Sequence, residues 1–124
     1  MIDVKLAHSG RLFDLYEITN QGNSLVEEFI HSLSKKDAKK INALLNRSAD
    51  AGLPKNDERF KQLKCKEINL YEFKSKPVRI FCTLEGQRKI ILSNGFSKKT
   101  EGTPPNEIER AVRLLKGYFE RGKK

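Results

Sequence analysis

Lys74 and Arg79 are the two residues whose type and spacing most clearly offer chemistry, because together they could bind a phosphate group. A Lys-Pro pair at residues 76–77 lies between them and predicts a turn, which would place Lys74 opposite Arg79 on neighbouring strands. Like charges in that position cost stability, and a bound anion relieves the cost. Phosphate is the recurrent biological anion that suits arginine and lysine so placed. The spacing therefore predicts a phosphate site in a sheet.

Two more lysines, Lys98 and Lys99, follow the next strand-like run and would bring further positive charge to the same edge. A simpler interpretation stays open for each basic residue taken alone. Lysine and arginine are common on the solvent face of an antiparallel sheet, and lysines on an edge strand protect it against aggregation. The convergence of several basic residues is what favours a binding site.

Three short apolar runs around these residues predict an antiparallel meander. The runs are Leu70–Phe73, Val78–Leu84 and Ile90–Leu92, separated by the turn-forming sequences SKP and EGQR. In the second run apolar residues alternate with Arg79 and its neighbours, so one face can pack against helices while Arg79 points to the other, uncovered face.

Helical periodicity and capping residues predict three helices around this sheet. A leading strand is expected at Leu12–Ile18, and residues 1–11 carry little signal. Residues 55–68 are predicted as a loop with a turn of helix at most. The expected helix limits are an N-cap at Asn23 or Ser24, a second N-cap at Ser34, a stop at Gly52, and a last helix capped by Thr103 and opened by Pro104 and Pro105.

Length and charge bound the class of protein. A chain of 124 residues predicts one domain, residues 1–124. Residues 74–124 hold 13 basic and 5 acidic side chains, against 12 and 11 in residues 1–73, so the positive charge lies in the second half. This favours a polyanionic partner, with nucleic acid first. The absence of an 18-residue apolar run and of a signal-peptide pattern predicts a cytoplasmic protein with no membrane partner.

Metal-independent RNA cleavage is the main enzymatic option that the motifs leave. The sequence has no zinc-ligand spacing, phosphate-binding glycine loop, nucleophile elbow or aspartate-rich site, so neither a metal nor another cofactor is predicted. RNA carries its own nucleophile, the 2′-hydroxyl, which a protein must align, deprotonate and support as charge develops on the phosphate. With no histidine in the second half, a carboxylate, a tyrosine or a lysine of lowered pKa would transfer the proton.

Six segments of the chain form a recognisable set. They are VEEFIHSL (26–33), KKDAKKINALL (35–45), AGLP (51–54), LYEFK (70–74), VRIF (78–81) and ILSNGFSKKTEGTPPNEIERA (91–111). Taken together, they resemble the phage-derived HigB-like branch of the RelE superfamily, whose members are toxins of type II toxin–antitoxin pairs, and the resemblance covers roughly residues 12 to 121. It implies an α+β fold, with an N-terminal strand and a helical hairpin packed on a small antiparallel sheet and with a C-terminal helix. It also implies a ribosome-dependent mRNA endoribonuclease that inhibits translation and is blocked by a cognate antitoxin, expected to be of helix-turn-helix type.

The resemblance implies roles for individual residues. Arg79 would stabilise the transition-state charge, and Lys74 would contact the phosphate or transfer a proton. Glu72, expected on the same strand face as Lys74, would orient the cations or act as the base, and a structural ion pair is an equal alternative. Lys98 and Lys99 would contact messenger or ribosomal RNA and are further candidates for proton transfer. Other RNA contacts are predicted at Lys64, Lys66, Lys76 and Tyr118.

The chain also departs from the family pattern. Lys74 stands where this branch usually has arginine, and Glu72 stands where the best-known RelE relatives have a lysine, so their proton-transfer scheme does not carry over intact. The alternative is therefore that the protein is a relative without ribonuclease activity. It would then be a gyrase poison or a nucleic-acid-binding phage protein on the same scaffold. A small helix-turn-helix protein encoded beside this gene would favour the toxin.

Overall fold

The sheet is the centre of the fold in the computed structural model, which describes residues 2–98 and 104–121. Seven strands and three helices lie in this part of the chain. The strands are β1 (Ile2–Ser9), β2 (Asp14–Asn20), β3 (Asn23–Ser24), β4 (Phe60–Leu63), β5 (Leu70–Ser75), β6 (Val78–Glu85) and β7 (Lys89–Ser97), and the helices are α1 (Leu25–His31), α2 (Lys35–Ala51) and α3 (Pro105–Glu120).

The predicted α+β class is confirmed, but the sheet is larger than expected and mixed. Its order is β1-β2-β7-β6-β5-β4, with the short β3 paired to β2. All the pairs are antiparallel except β2 with β7, which run parallel. A parallel pair needs a long crossover, and the two helices and four strands between β2 and β7 supply it. The meander of β5, β6 and β7 is as predicted.

Both faces of the sheet are covered, unlike in the sequence prediction. On one face Phe73 and Ile80 pack against α1 and α2, which form the expected helical hairpin. On the other face Phe81 and Ile91 pack against α3. Arg79, which alternates with Ile80 along β6, lies on the α3 side and is only 5% exposed. The prediction of an uncovered face around Arg79 is therefore wrong, since Arg79 is buried and α3 packs elsewhere on the same face of the sheet.

The helix limits follow the local signals of the sequence. The Ser24 hydroxyl accepts a hydrogen bond from the Glu27 amide at 3.0 Å, and the Ser34 hydroxyl accepts one from the Asp37 amide at 3.1 Å. Both serines are therefore N-caps. Gly52 ends α2 with φ at 109°, a conformation that glycine adopts readily. Helix α3 begins at Pro105, and the predicted cap Thr103 lies outside the described residues.

Besides the two-residue β3, two strands lie where the sequence predicted none. Strand β1 occupies residues 2–9, which carried little signal, and pairs with β2 at the edge of the sheet. Strand β4 occupies part of the predicted loop and pairs with β5. The second strand begins at Asp14 and not Leu12, because the Leu12 and Phe13 amides donate to the Ala49 carbonyl at the end of α2. No helix in the described part of the chain is long and apolar enough to span a membrane.

Candidate functional site

Strand register brings the predicted basic pair together. Lys74 on β5 lies directly opposite Arg79 on β6, as the Lys-Pro turn predicted. Lys98 follows β7 and its amide donates a hydrogen bond to the Pro77 carbonyl at 2.8 Å, which fixes Lys98 beside the same turn. Glu72 precedes Lys74 by two residues, so the two side chains point to the same face of β5. Four predicted site residues therefore meet at one end of the sheet.

Lys61 is a fifth member of this group that sequence reasoning did not select. It lies on β4 directly opposite Glu72, and it is exposed. The strand that carries it was predicted as a loop, because residues 55–68 lack a sustained apolar period. The one residue that could have indicated a strand here is Phe60, whose ring packs on Phe73 at a centroid distance of 4.8 Å. We refer to Lys61, Glu72, Lys74, Arg79 and Lys98 as the Glu72 cluster.

The ion pair in the Glu72 cluster is buried and loose. The side chains of Glu72 and Arg79 are 4% and 6% exposed, and Arg79 Nε lies 3.9 Å from Glu72 Oε1. Arg79 Nη1 donates to the Val78 carbonyl at 3.2 Å. Within the described residues, Glu72 Oε2 and Arg79 Nε have no hydrogen-bond partner. Buried polar atoms without partners are costly, so the pair holds hydrogen-bonding capacity that a ligand could use.

The Glu72 carboxyl is held in an environment that disfavours its charge. Burial raises its pKa above the ordinary value of 4.5, and the positive charges of Arg79, Lys74, Lys98 and Lys61 oppose that rise. Burial is the larger effect. A carboxyl group of raised pKa is a better proton acceptor than an ordinary glutamate.

The pKa of Lys74 is shifted in the opposite direction, downwards. Burial and the neighbouring Arg79 lower its pKa below the ordinary value of 10.5. Its Nζ donates a hydrogen bond to the Asp57 carbonyl at 2.7 Å, and its amide donates to the Arg59 carbonyl at 2.8 Å. Lys74 thus joins the site to the loop before β4. An amine of lowered pKa can both bind a phosphate and donate a proton to a leaving oxygen.

Glu72→Gln should raise the melting temperature at neutral pH. A raised pKa means that the folded state binds the proton more tightly than the unfolded state, so the Glu72 carboxylate destabilises the native protein at pH values above its folded pKa. As the pH falls through that value this cost disappears, and it is absent below the unfolded pKa of about 4.5. Glutamine carries no charge, so the difference between variant and wild type should close over the same interval.

Thermal melts between about pH 7 and about pH 4 test this expectation. Glu109→Gln, at an exposed position on α3, is the control and should change the melting temperature little at any pH. A Glu72→Gln variant that is less stable than wild type at neutral pH would show instead that the carboxylate is a net stabilising partner of Arg79.

The remaining predicted RNA contacts do not all join the Glu72 cluster. Lys76 is exposed in the turn between β5 and β6, next to it. Lys64 and Lys66 follow β4 and lie beside α3, where they line a separate cavity of about 660 Å³. Strand β4 pairs with β5 so that Leu63 lies opposite Leu70, which places Lys64 about 16 Å along the sheet from Lys74. Lys99 lies outside the described residues.

Tyr118 does not approach the Glu72 cluster, contrary to expectation. It belongs to α3 and is buried in the core, only 3% exposed. Its hydroxyl donates a hydrogen bond to Glu85 at the far end of β6. Six residues of strand separate Glu85 from Arg79, which is about 20 Å. Burial raises the pKa of the Tyr118 hydroxyl, and the Glu85 hydrogen bond adds to the rise. In this structure Tyr118 is a core residue with a satisfied hydroxyl.

A bulge in β7 lies beside the cluster and was not predicted. The register of β6 and β7 shifts between Ile80 and Cys82, so Ser93 and Asn94 both lie against the single residue Phe81. The Ser93 hydroxyl donates to Asn94 Oδ1 at 2.8 Å, and Asn94 is 1% exposed. β-Bulges often redirect side chains next to binding sites. Because β7 has one extra residue at the bulge, Phe96 and not Gly95 lies opposite Arg79.

The fold and the cluster of charges define the class of protein. The architecture is an α+β domain with a mixed open sheet, consistent with the RelE-like fold, and it gathers cations around one buried carboxyl group. The family model described as phage derived protein Gp49-like matches residues 28–116. The chain belongs to this family, which is associated with RelE-like and toxin-like proteins. No curated protein matches the chain.

Proposed function

We propose that this protein is a HigB-like toxin of a type II toxin–antitoxin pair, which cleaves messenger RNA in the ribosome without a metal ion. The observation that carries the proposal is the Glu72 cluster, in which a carboxyl group of raised pKa and a lysine of lowered pKa flank a buried arginine. Membership of the Gp49-like family supports it independently. The same groups are those that cleavage by the RNA's own 2′-hydroxyl requires.

In the proposed reaction, Glu72 accepts the proton of the 2′-hydroxyl as that oxygen attacks the neighbouring phosphorus. Arg79 donates hydrogen bonds to the phosphoryl oxygens, on which negative charge grows in the transition state. Lys74 donates a proton to the leaving 5′ oxygen as the bond from that oxygen to phosphorus breaks. The products are a 2′,3′-cyclic phosphate and a free 5′-hydroxyl, so the protons and bonds balance without a cofactor.

Substrate reaches the cluster from the side of the half-buried lysines. Lys74 and Lys98 are partly exposed, whereas Glu72 and Arg79 are buried. A phosphate attracted by the two lysines can complete the hydrogen bonding of the Arg79 guanidinium, whose Nε has no partner within the described residues. Binding of the phosphate would then draw Arg79 away from its loose contact with Glu72 and leave the carboxylate available as a base.

The proposed partners follow from this activity. Ribosome-bound mRNA is the substrate, and Lys76 and Lys99 are the remaining predicted contacts next to the cluster along the chain. A cognate antitoxin would cover the cationic cluster with acidic or apolar segments, because an uncovered site would stop the growth of the host. Both partners place the protein in the cytoplasm.

Expression of the wild-type protein alone should arrest growth, and co-expression of the neighbouring gene should restore it. Primer extension should show cuts in translated mRNA. In a translation reaction that retains Mg²⁺ for the ribosomes, protein stripped with EDTA and assayed with a transition-metal chelator should cut as well as untreated protein, because the cluster supplies every group that the reaction needs.

Two results would contradict the proposal. Growth arrest with intact mRNA would favour a gyrase poison or a nucleic-acid-binding phage protein. Cleavage that the chelator abolishes, and that an added transition metal restores, would reject the metal-free mechanism while leaving the toxin function standing.

A further inference from the structure

A second concentration of positive charge lies on the other side of Lys74, outside the Glu72 cluster. A cavity of about 470 Å³ separates α2 from the end of β5, and we call it the α2 groove. One acidic residue, Glu58, lies in its lining with Ala43, Leu44 and Ser75. Its basic lining residues are Lys40, Arg47, Arg59, Lys74 and Lys76.

The charges of the α2 groove are not neutralised within the protein. Among residues 2–98 and 104–121, none of its five basic residues forms an ion pair. Lys74 donates to a backbone carbonyl, which removes no charge. Five positive charges against the one negative charge of Glu58 leave the cavity with a net positive charge, which concentrates anions in it. The groove therefore offers a site for a polyanion.

The shape of the groove fits a strand and not a single anion. Lys40 and Arg47 are seven residues apart on one side of α2, which separates them by about 10 Å along the helix. A second cavity of about 430 Å³ shares Leu44, Arg47 and Arg59 and continues along α2 as far as Pro54. The two cavities form one path. A single phosphate would occupy only part of it, whereas the backbone of a nucleic acid presents charges at regular intervals along it.

Lys74 connects the α2 groove to the Glu72 cluster, because it lines the groove and its charge also acts on Glu72. We propose that the α2 groove binds the single-stranded RNA that continues from the phosphate at the Glu72 cluster, with Lys40 and Arg47 each contacting a phosphate. The proposal rests on the function proposed above. An acidic protein segment is the other polyanion that such a groove could take, and continuity with the cluster favours the RNA.

The salt dependence of RNA binding tests the groove. The probe is a fluorescein-labelled oligouridylate of about 16 nucleotides, with anisotropy measured between about 50 and about 200 mM KCl. Loss of two phosphate contacts should reduce the slope of log K against log salt by about 1.4, which corresponds to about 25-fold weaker binding at about 0.1 M salt. The test variant is Lys40→Ala/Arg47→Ala, and both of its positions are exposed, so the fold should be retained.

The matched control is Lys35→Ala/Lys39→Ala, which removes the same charge from the same helix at exposed positions outside the groove. Its salt slope should stay near that of wild type. Equal slopes for the two double variants would overturn the proposal. So would a groove variant that loses binding of polyglutamate but keeps the binding of RNA, since that result would assign the groove to an acidic protein segment.

The two proposals can fail separately in this design. Wild-type protein that cuts mRNA while the groove variant keeps the wild-type slope would reject the groove alone. Wild-type protein that never cuts mRNA would reject the proposed reaction, and with it the assignment of the groove to substrate, even if the slope changes.

Discussion

Arg79→Ala should slow mRNA cleavage about 100-fold, equivalent to about 3 kcal/mol of transition-state stabilisation. The guanidinium is the group best placed to stabilise the growing phosphoryl charge. It is buried next to Glu72, and its Nε has no hydrogen-bond partner among the described residues. Electrostatic stabilisation is strongest where water is excluded. Neighbouring lysines contribute charge but not the forked donor geometry of arginine.

The same substitution should also destabilise the protein, by about 2 kcal/mol. Removing one member of a buried pair leaves the other charge uncompensated, and the usual cost is about 3 to 5 kcal/mol. We expect less here, because the pair is loose at 3.9 Å and because Lys74, Lys61 and Lys98 remain near Glu72. From the sequence alone, relief of the like-charge pairing with Lys74 predicts little loss of stability or a small gain. Burial of Arg79 reverses that expectation.

A second substitution separates the structural role of Arg79 from the catalytic one. In Arg79→Ala/Glu72→Gln the uncompensated carboxylate is gone, so the melting temperature should recover most of its loss while cleavage stays at least about 100-fold slower than in wild type. Arg110→Ala, an exposed arginine on α3, is the control and should change neither property. If cleavage per folded molecule stays near wild type in Arg79→Ala, then Arg79 is a structural partner of Glu72 and the phosphate-site assignment is wrong.

Gly10→Ala should destabilise the protein by about 3 kcal/mol or prevent folding. A Cβ atom at this position would lie 2.3 Å from the Ala49 carbonyl carbon and 2.6 Å from the Asp50 amide nitrogen. These are backbone atoms at the end of α2, so they cannot move aside as a flexible side chain would. The close approach joins the β1–β2 hairpin to the helix, and the hydrogen bonds from Leu12 and Phe13 to Ala49 depend on it.

Urea unfolding measures this effect, and Gly117→Ala is the matched control. Gly117 lies within α3, where an added Cβ would only touch Ile2 at 3.4 Å. Alanine is favoured over glycine in a helix by up to about 1 kcal/mol, so this variant should be slightly more stable than wild type. A Gly10→Ala protein as stable as wild type would mean that the hairpin does not pack on α2 as closely as described.

Local signals in the sequence were enough to determine the start of α1, both ends of α2 and the pairing of the basic strands. Ser24, Ser34 and Gly52 each act within one helical turn, so neighbouring residues decide their effect. The Lys-Pro turn joins adjacent strands and thereby sets the register that puts Lys74 opposite Arg79. These interactions involve residues close together in the chain, which is why the sequence alone could predict them.

The family resemblance was equally accessible, because it rests on motifs spread along the chain. It predicted the α+β class that the structure has. It also selected Glu72, Lys74, Arg79 and Lys98, which the structure brings together. The reaction assigned to these residues stays a proposal.

Contacts between distant segments decided the rest. Strand β4 forms because β5 offers it an edge, and only that pairing brings Lys61 to Glu72. Helix α3 packs on the same face of the sheet as Arg79, and on that face Arg79, expected in solvent, is buried and burial raises the pKa of Glu72. The same packing carries Tyr118 to Glu85, away from the cluster. Burial and pKa depend on which surfaces meet, and no local pattern in the sequence encodes which distant element will cover a given strand face.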